Sequence, residues 1–299
     1  MLLQLKLIIS KKSLKSIILF AIILLLLGCS NQEKENDWVK SGLKGQVKTY
    51  TEFSYKAEKR FGKIEKGKLD KRIDVFHDFK KTYNEKGHQV QYDQYDSDGS
   101  LEAKSTYKYD ENGNRIVINS YEPDGSLYSK KTFKYDNKGV RIESNRYNKD
   151  GSLKEKTTYK YDKKGNKIES NTYKSDGSMY EKKTYKYDDK GNKIETNKYS
   201  ANGDLNYRWK YKYDEKGNKI ESKMYRSKMF GSTMNLIDTD KYDEKGNKVE
   251  TKKYDPYGNL KIRLTYKYEY DEQLNWVKRI EFENKTPAYI LERDFEYYK

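Results

Sequence analysis

Residues 184–209 read TYKYDDKGNKIETNKYSANGDLNYRW, and this 26-residue unit recurs along the middle of the chain. Three units precede it in unbroken register: Thr106 onward (TYKYDENGNRIVINSYEPDGSLYSKK), Thr132 onward (TFKYDNKGVRIESNRYNKDGSLKEKT) and Thr158 onward (TYKYDKKGNKIESNTYKSDGSMYEKK). One glycine series runs Gly87, Gly113, Gly139, Gly165, Gly191, Gly217. A second runs Gly99, Gly125, Gly151, Gly177, Gly203 with the same spacing. A fixed period of this length is the mark of a repeat architecture.

Each series marks a turn. In Asp188-Asp189-Lys190-Gly191 the aspartate suits the first position of a type I turn, and glycine suits the last, where the left-handed conformation costs it nothing. Gly113, Gly139, Gly165, Gly191 and Gly217 are therefore structural turn residues. In Lys174-Ser175-Asp176-Gly177-Ser178 the Asp-Gly step gives a similar hairpin loop. Roughly 9 and 11 residues lie between successive turns, rich in Tyr, Thr, Ile and Lys and free of proline, which are strand lengths and strand residues. Two turns per unit leave no room for an amphipathic helix. The expected fold is all-β: a repetitive antiparallel β-hairpin meander with two strands per repeat. About sixteen strands ~4.8 Å apart would run about 75 Å, and open sheets longer than ~10 strands curl. The expectation is an extended, curved or spiral sheet.

If both turns are three-residue loops, parity puts Met179, Tyr185, Tyr187 and Tyr199 on one face, continued by Leu205, Tyr211 and Tyr213. Ile194 and Thr184 fall on the other, unless a bulge shifts the register. Tyrosines stacked across strands contribute ~0.2–1 kcal/mol per pair, so a thin sheet can hold without a deep aliphatic core.

The flanks differ from the repeat. Residues 45–81 alternate like paired strands and read as an N-terminal β cap. Residues 82–264 hold the repeats. Residues 265–299, with Trp276, Ile290, Phe295, Tyr297 and Tyr298, read as a C-terminal aromatic cap, since a repeat stack needs its open edges covered. The spacing breaks once: Gly217 to Gly246 is 29 residues, and Leu274 stands where the last turn glycine would fall.

The N-terminus carries an address. Lys11, Lys12 and Lys15 precede an apolar run, Ile17 to Leu27, that is too short to span a bilayer, which takes ~20 helical residues. It fits a secretory signal and ends in Leu26-Leu27-Gly28-Cys29, which resembles the bacterial lipobox. Residues 1–28 are expected to be a lipoprotein signal peptide. Cys29, the single cysteine, is the expected site of palmitate-type acylation and membrane attachment. Residues 29–44 read as a polar tether; Asn31 to Asp37 also resemble a surface-export signal. The expected location is the cell envelope, anchored by lipid and placed at the outer membrane. The formal charge of +16 falls to +12 once the four lysines of 1–28 are removed.

Composition narrows the chemistry. Of 299 residues, 37% are charged and 31 are Tyr, while mean hydropathy is −1.21, so a thick aliphatic core is excluded. Two His and one Cys exclude most zinc, copper, haem and thiol chemistry. His77 and His88 stand alone and read as structural. Asp96-Ser97-Asp98-Gly99 hints at a calcium loop, but its counterparts EPDG, NKDG, KSDG and SANG lack the repeated Asp. No metal or cofactor is expected. The sequence has no GxSxG, HExxH or P-loop, so no catalytic residue is assigned.

Tyr185-Lys186-Tyr187-Asp188-x-x-Gly191-Asn192-x-Ile194 resembles the YD repeat of the rearrangement-hotspot (RHS) family. The pattern also stands at Tyr107/Tyr109/Asp110/Gly113, Tyr159/Tyr161/Asp162/Gly165 and Tyr211/Tyr213/Asp214/Gly217. The resemblance covers about Tyr83 to Asp271. The whole chain is similar to small YD-repeat lipoproteins of Bacteroidetes. The resemblance implies strand-turn-strand β-architecture and suggests carbohydrate or cell-surface interaction. The period here is longer than in most such repeats, and neither a core protease-like domain nor a C-terminal toxin is expected.

Basic charge is nearly all Lys, 53 against 10 Arg. Nucleic-acid readers favour the planar Arg fork, so no nucleic-acid partner is expected. The lysines solubilise a face or draw an anionic glycan or a surface protein. The candidate ligand-contact residues are Met229, Phe230 and Met234 in the irregular repeat, with Tyr185, Tyr187, Tyr211 and Tyr213 on the ladder. The expected function is a non-catalytic, lipid-anchored binding or scaffolding protein. The alternatives are an immunity-type protein that binds a secreted toxin, and an enzyme with an unrecognised carboxylate site.

Overall fold

The computed structural model describes residues 36–69, 78–96, 98–226 and 236–299, the side chain of Leu236 excepted. The chain divides into Met1–Glu35 and Asn36–Lys299. The first unit lies outside the described residues, and with it the apolar run and Cys29. Met229, Phe230, Met234 and His77 also lie outside them.

The described part is one short helix and nineteen strands. Helix α1 is Asp37–Lys40; strands β1 (Val47–Arg60), β2 (Lys63–Leu69) and β3 (Asp78–Tyr83) follow. The next are β4 (Gln89–Tyr95), β5 (Leu101–Tyr109), β6 (Arg115–Tyr121), β7 (Leu127–Tyr135) and β8 (Arg141–Asn148). Then come β9 (Leu153–Tyr161), β10 (Lys167–Lys174), β11 (Met179–Tyr187), β12 (Lys193–Ser200) and β13 (Leu205–Tyr213). The last six are β14 (Lys219–Arg226), β15 (Leu236–Tyr242), β16 (Lys248–Tyr254), β17 (Leu260–Tyr270), β18 (Trp276–Glu283) and β19 (Thr286–Tyr297).

All pairings are antiparallel between chain neighbours until the ends meet. β1 pairs with β19 along one edge, Tyr50 opposite Phe295 and Tyr55 opposite Ile290. Its other edge pairs with β3 through residues 49–52 and with β2 through residues 55–60. The ring therefore closes through β1, with β2 as a hairpin extension, and the wall is an 18-strand closed β-barrel. This corrects the expected curved or spiral open sheet. The flanks read as caps contribute wall strands that pair with each other, so the edges that would need covering are joined, and closure is what removes an edge.

The turns follow the expected chemistry. At Asp188–Asn192 the Gly191 N–H donates to the Asp188 carbonyl (3.1 Å) and the Asp188 N–H to the Asn192 carbonyl (2.9 Å), with Gly191 at φ +84°. The Asp188 carboxylate accepts from the Asn192 N–H at 2.8 Å and from its amide at 3.0 Å, which fixes the loop a second time.

A bulge beside each turn changes the faces. Tyr187 lies opposite Lys193 but Lys186 opposite Glu195, so Ile194 is the extra residue. Tyr185 then shares a face with Thr196, while Tyr199 lies opposite Lys182 on the other face. This corrects the parity reading that put Tyr199 beside Tyr185; Ile194 stays exposed in the bulge. One face carries Tyr185, Tyr187, Tyr211 and Tyr213 and is here the tyrosine face. The other repeats Lys-Thr-Lys on one strand (Lys182, Thr184, Lys186) and Glu-Asn-Tyr on the next (Glu195, Asn197, Tyr199).

The densest apolar packing lies at the seam. Trp38, Leu43, Val47, Tyr50 and Tyr83 are buried together, with Phe79 and Phe295 against them. Trp38 donates its indole N–H to the Val47 carbonyl at 2.7 Å, which gives its buried polar atom a partner.

Candidate functional site at the interrupted repeat

Along the tyrosine face, rings and cations alternate. The Lys167 ammonium lies 5.4 Å from the Tyr159 centroid and 4.8 Å from that of Tyr185. Lys193 lies 5.7 Å from both Tyr185 and Tyr211, and Lys219 lies 5.5 Å from Tyr211. Arg141 over Phe133 and Arg115 over Tyr107, each at 4.5 Å, continue the row. A cation within about 6 Å of a ring face contributes about 0.5–1 kcal/mol where exposed. Two of the rings named as ligand contacts, Tyr185 and Tyr211, are thus engaged by the protein's own cations. The Tyr187 and Tyr213 hydroxyls donate to the carbonyls of Lys167 and Lys193, each at 2.8 Å.

The row breaks where the spacing breaks. Asp238 and Asp240 stand 29 residues after Trp209 and Tyr211, at the same places in the strand. Ser222 faces both Tyr211 and Asp238, Asp240 faces Thr251, and Thr251 faces Leu264, so these side chains share the tyrosine face. Tyr266 lies opposite Glu281 and Tyr268 opposite Arg279 on the same face. Two bulky aromatics have become two short carboxylates while the strands stay paired. The result is a cavity of about 450 Å³ spanning β14 to β18. That lies within the ~300–1,000 Å³ of sites that take small organic ligands.

The lining is polar and mixed in charge. Asp240 is held by Lys248 at 3.0 Å and by the Thr251 hydroxyl at 2.6 Å. Asp238 has no such clamp: its Oδ1 is buried with no hydrogen-bond partner among the described residues. Burial raises its carboxyl above the ordinary range, and Lys253 is the largest opposing influence. Across the cavity, the Arg279 Nε is likewise buried and without a hydrogen-bond partner, while its guanidinium lies 5.6 Å from the Tyr266 ring and 5.4 Å from that of Trp276. Burial pushes the Tyr268 phenol up to about 12, so it is a neutral donor, given to the Lys248 carbonyl at 2.8 Å. Glu281 is buried. Buried polar atoms left unpaired are costly, and here two residues of one cavity lining each carry one.

Sequence reasoning placed the candidate contacts on the loop (Met229, Phe230, Met234) and on the ladder (Tyr185, Tyr187, Tyr211, Tyr213), and did not single out the strand residues Asp238, Asp240, Arg279 and Glu281. The signal was available: carboxylates at two places where the preceding repeat carries Trp209 and Tyr211. His88 stacks on Tyr109 at 4.6 Å between ring centres, with its imidazole shifted down by burial. The Asp96–Ser100 segment closes as an ordinary turn, Gly99 donating to the Asp96 carbonyl at 2.9 Å.

No protein-family model matches the chain, and no curated protein does. Among solved structures, it is similar to a chain of the Photorhabdus luminescens Tc holotoxin pore, with 15% identity and a TM-score of 0.37. The match covers 76% of this chain and 13% of the toxin chain, so the protein spans a small part of that relative. It is also similar to a porin-like protein from Bacteroides uniformis, with 9% identity and a TM-score of 0.39 over 84% of this chain and 96% of that one. A porin-like protein from Bacteroides vulgatus gives 15%, 0.38, 85% and 99% for the same four measures. The TM-scores are low throughout. Among the described residues, no helix is long and apolar enough to cross a membrane, which says nothing of strands.

Proposed function

We propose that this is a non-catalytic, lipid-anchored protein of the bacterial cell envelope, a YD-repeat-like barrel that binds a glycan or surface component in the cavity between β14 and β18. The observation that carries the reading is the break in the ladder. Trp209 and Tyr211 of the preceding repeat give way to Asp238 and Asp240, and a polar cavity opens beside them. A repeat wall that departs from its own packing rule at one place marks that place as functional. The lipobox ending in Cys29 supports the anchor, and the outer membrane is the proposed location. Two measurements test this. Palmitate labelling in cells should mark the wild type and be lost in Cys29→Ala. Binding to a glycan array or an envelope extract should fall when Leu264→Trp fills the cavity.

A second reading has its own support. Asp238, Asp240 and Glu281 line one cavity, and paired carboxylates of differing pKa are what glycoside hydrolysis uses. Asp238 is raised while Asp240 is held by Lys248, so their environments diverge. Incubation with envelope oligosaccharides decides between the readings: new reducing ends, lost in Asp240→Asn, mean an enzyme, and unchanged oligosaccharide means a binder.

A further inference from the structure

We infer that the β1–β2 hairpin is a membrane contact that meets an anionic lipid surface tip-first, with Phe61 entering the headgroups. β1 leaves the wall before it ends. Its pairing with β19 stops at Lys56 opposite Tyr289, and residues 57–60 pair with β2 alone. The tip is a two-residue turn, Phe61-Gly62, with φ of +48° and +79°. Such a turn favours Asn or Asp before the glycine, because they tolerate the left-handed region. Phe61 lacks that tolerance, and being fully exposed it has no packing to offset the strain. A bulky residue held there without an internal return marks a site for a partner.

Charge names the partner. Residues 56–68 carry six cations, Lys56, Lys59, Arg60, Lys63, Lys66 and Lys68, against Glu58 and Glu65. Arg60 pairs with Glu58 at 2.6 Å and Lys66 with Glu292 at 2.8 Å, while Lys59 and Lys63, beside the tip, have no carboxylate partner among the described residues. Lys59 lies opposite Ile64 and Lys63 opposite Arg60, so cations stand on both faces of the hairpin. A flat anionic surface met by the tip engages both faces, whereas an added strand or a protein groove engages one edge or one face. Each Lys or Arg near an anionic bilayer strengthens attachment, and an aromatic side chain adds to it by burying apolar area among the headgroups. A second copy of this chain is disfavoured, because its hairpin carries the same charge. β1 starts beside α1, where Trp38 donates to the Val47 carbonyl, and runs 14 residues before the tip. The tip therefore faces away from the rim that holds α1.

The test reconstitutes the full-length chain in phosphatidylcholine vesicles and adds dye-filled vesicles, either of phosphatidylcholine alone or of phosphatidylcholine with phosphatidylglycerol; this two-vesicle arrangement rests on the lipid anchor proposed above. Flotation should show capture of the phosphatidylglycerol vesicles and not of the neutral ones. Capture should weaken as salt rises from about 0.01 to about 0.15 M. Lys59→Gln with Lys63→Gln should weaken it about ten-fold or more. Phe61→Asn should weaken it as well, with the melting temperature unchanged or raised, since asparagine suits the turn better; a merely structural tip would show the gain in stability and no loss of capture. Equal capture of both kinds of vesicle, or capture indifferent to Phe61→Asn, overturns the inference. No capture overturns it too and leaves the tip to a protein partner. A chain that does not float with its own vesicles contradicts the anchor; mixed directly with phosphatidylglycerol vesicles, it tests the hairpin by itself, and the same variants decide.

Discussion

The phenol of Tyr187 donates a hydrogen bond to the backbone carbonyl of Lys167 at 2.8 Å, twenty residues earlier. The same stitch joins Tyr135 to Arg115, Tyr161 to Arg141 and Tyr213 to Lys193, at 2.7, 2.7 and 2.8 Å. Its cause is local. The β10–β11 ladder ends with Glu169 opposite Thr184, so the Lys167 carbonyl lies beyond the last rung and takes the phenol instead. Tyr187→Phe keeps the ring and removes only the donor. It should cost about 0.5–1.5 kcal/mol, and Tyr161→Phe with Tyr187→Phe and Tyr213→Phe should cost close to the sum. Urea unfolding midpoints check this; an unmoved midpoint in the triple variant would mean that water serves these carbonyls equally well.

Leu274 occupies a glycine's place. Its φ is +67°, its N–H donates to the Asp271 carbonyl at 3.1 Å as the turn glycines do, and its side chain is 65% exposed. A side chain in the left-handed region costs roughly 1–2 kcal/mol, and an exposed leucine returns little packing for it. Leu274→Gly should therefore stabilise the barrel by about 1 kcal/mol, less the extra chain entropy of glycine when unfolded. The mirror substitution, Gly191→Ala at φ +84° with only Asn166 Oδ1 at 3.9 Å near the new methyl, should destabilise through backbone strain and not through a clash. Thermal melts of the two variants should move in opposite directions.

The seam has its own lock. Asn275 is 4% exposed; its amide oxygen accepts from the Lys44 N–H, and its amide nitrogen donates to the Lys44 carbonyl and the Tyr297 hydroxyl, all at 2.8 Å. Farther along the same N-terminal segment, Asp37 accepts from the Gln89 N–H at 2.9 Å and the Tyr109 hydroxyl at 2.7 Å. The segment from α1 to β1 is thus tied at two turns. Asn275→Ala should cost about 2–3 kcal/mol, since it strands buried backbone groups. Amide exchange should rise at residues 42–47 before it rises in β9 to β12. Uniform exchange across the barrel would contradict a local lock.

How far this was legible depends on distance along the chain. The turns were readable because Asp, Gly and Asn act within five residues, and Asp188 to Asn192 behaves as its chemistry demands. The strands followed, since nothing but extended backbone fits between such turns. The face of Tyr199 was misread because the bulge at Ile194 adds one residue that no turn rule announces, and one residue reverses every later side chain. Closure was not legible at all. Tyr50 meets Phe295 across the length of the protein, and neither strand belongs to the repeat. At the cavity, the spacing of 29 drew attention to this repeat but to its loop, because apolar residues look like contacts. The informative change was the loss of the ring that stands at 107, 133, 159, 185 and 211 and is Asp at 240.

The lysine-bearing face gives a pH dependence. Glu143 accepts from Lys156 at 2.7 Å and Lys134 at 3.0 Å, and Glu169 accepts from Lys182 and Lys160, both at 2.9 Å. These bonds, the ones from Lys156 and Lys182 foremost, hold each carboxyl down at about 2 against an ordinary 4.5. The folded value lies below the unfolded one, so the stabilisation is complete above about pH 4.5 and is lost as pH falls through about 2. Glu143→Gln with Glu169→Gln should lower the melting temperature at pH 7 and flatten its fall from about pH 5 to about pH 2. The slope will not vanish, because turn carboxylates such as Asp162 and Asp188 are also held low by their Asn partners. Parallel melting curves of wild type and variant across that range would refute the assignment.

Asp240 stands where the ladder calls for a ring, and restoring the ring tests whether the cavity is a cost borne for function. Tyr211 lies between Lys193 and Lys219. A tyrosine at 240 would stand between Lys219 and Lys248 in the same way and gain about 0.5–1 kcal/mol from the two cations. It would remove the ion pair with Lys248, in which Asp240 is only 8% exposed; the carboxylate's desolvation cost goes with it, while Lys248, 39% exposed, keeps water. It would also remove the carboxylate whose charge disfavours ionised Asp238, and it would fill space that now lacks partner atoms. The terms favour the variant, so Asp240→Tyr should unfold at higher urea than the wild type while ligand binding disappears. Functional sites commonly trade stability in this way. A lower midpoint for Asp240→Tyr would instead make the Asp240–Lys248–Thr251 cluster a structural replacement for the ring, and the cavity a by-product of repacking.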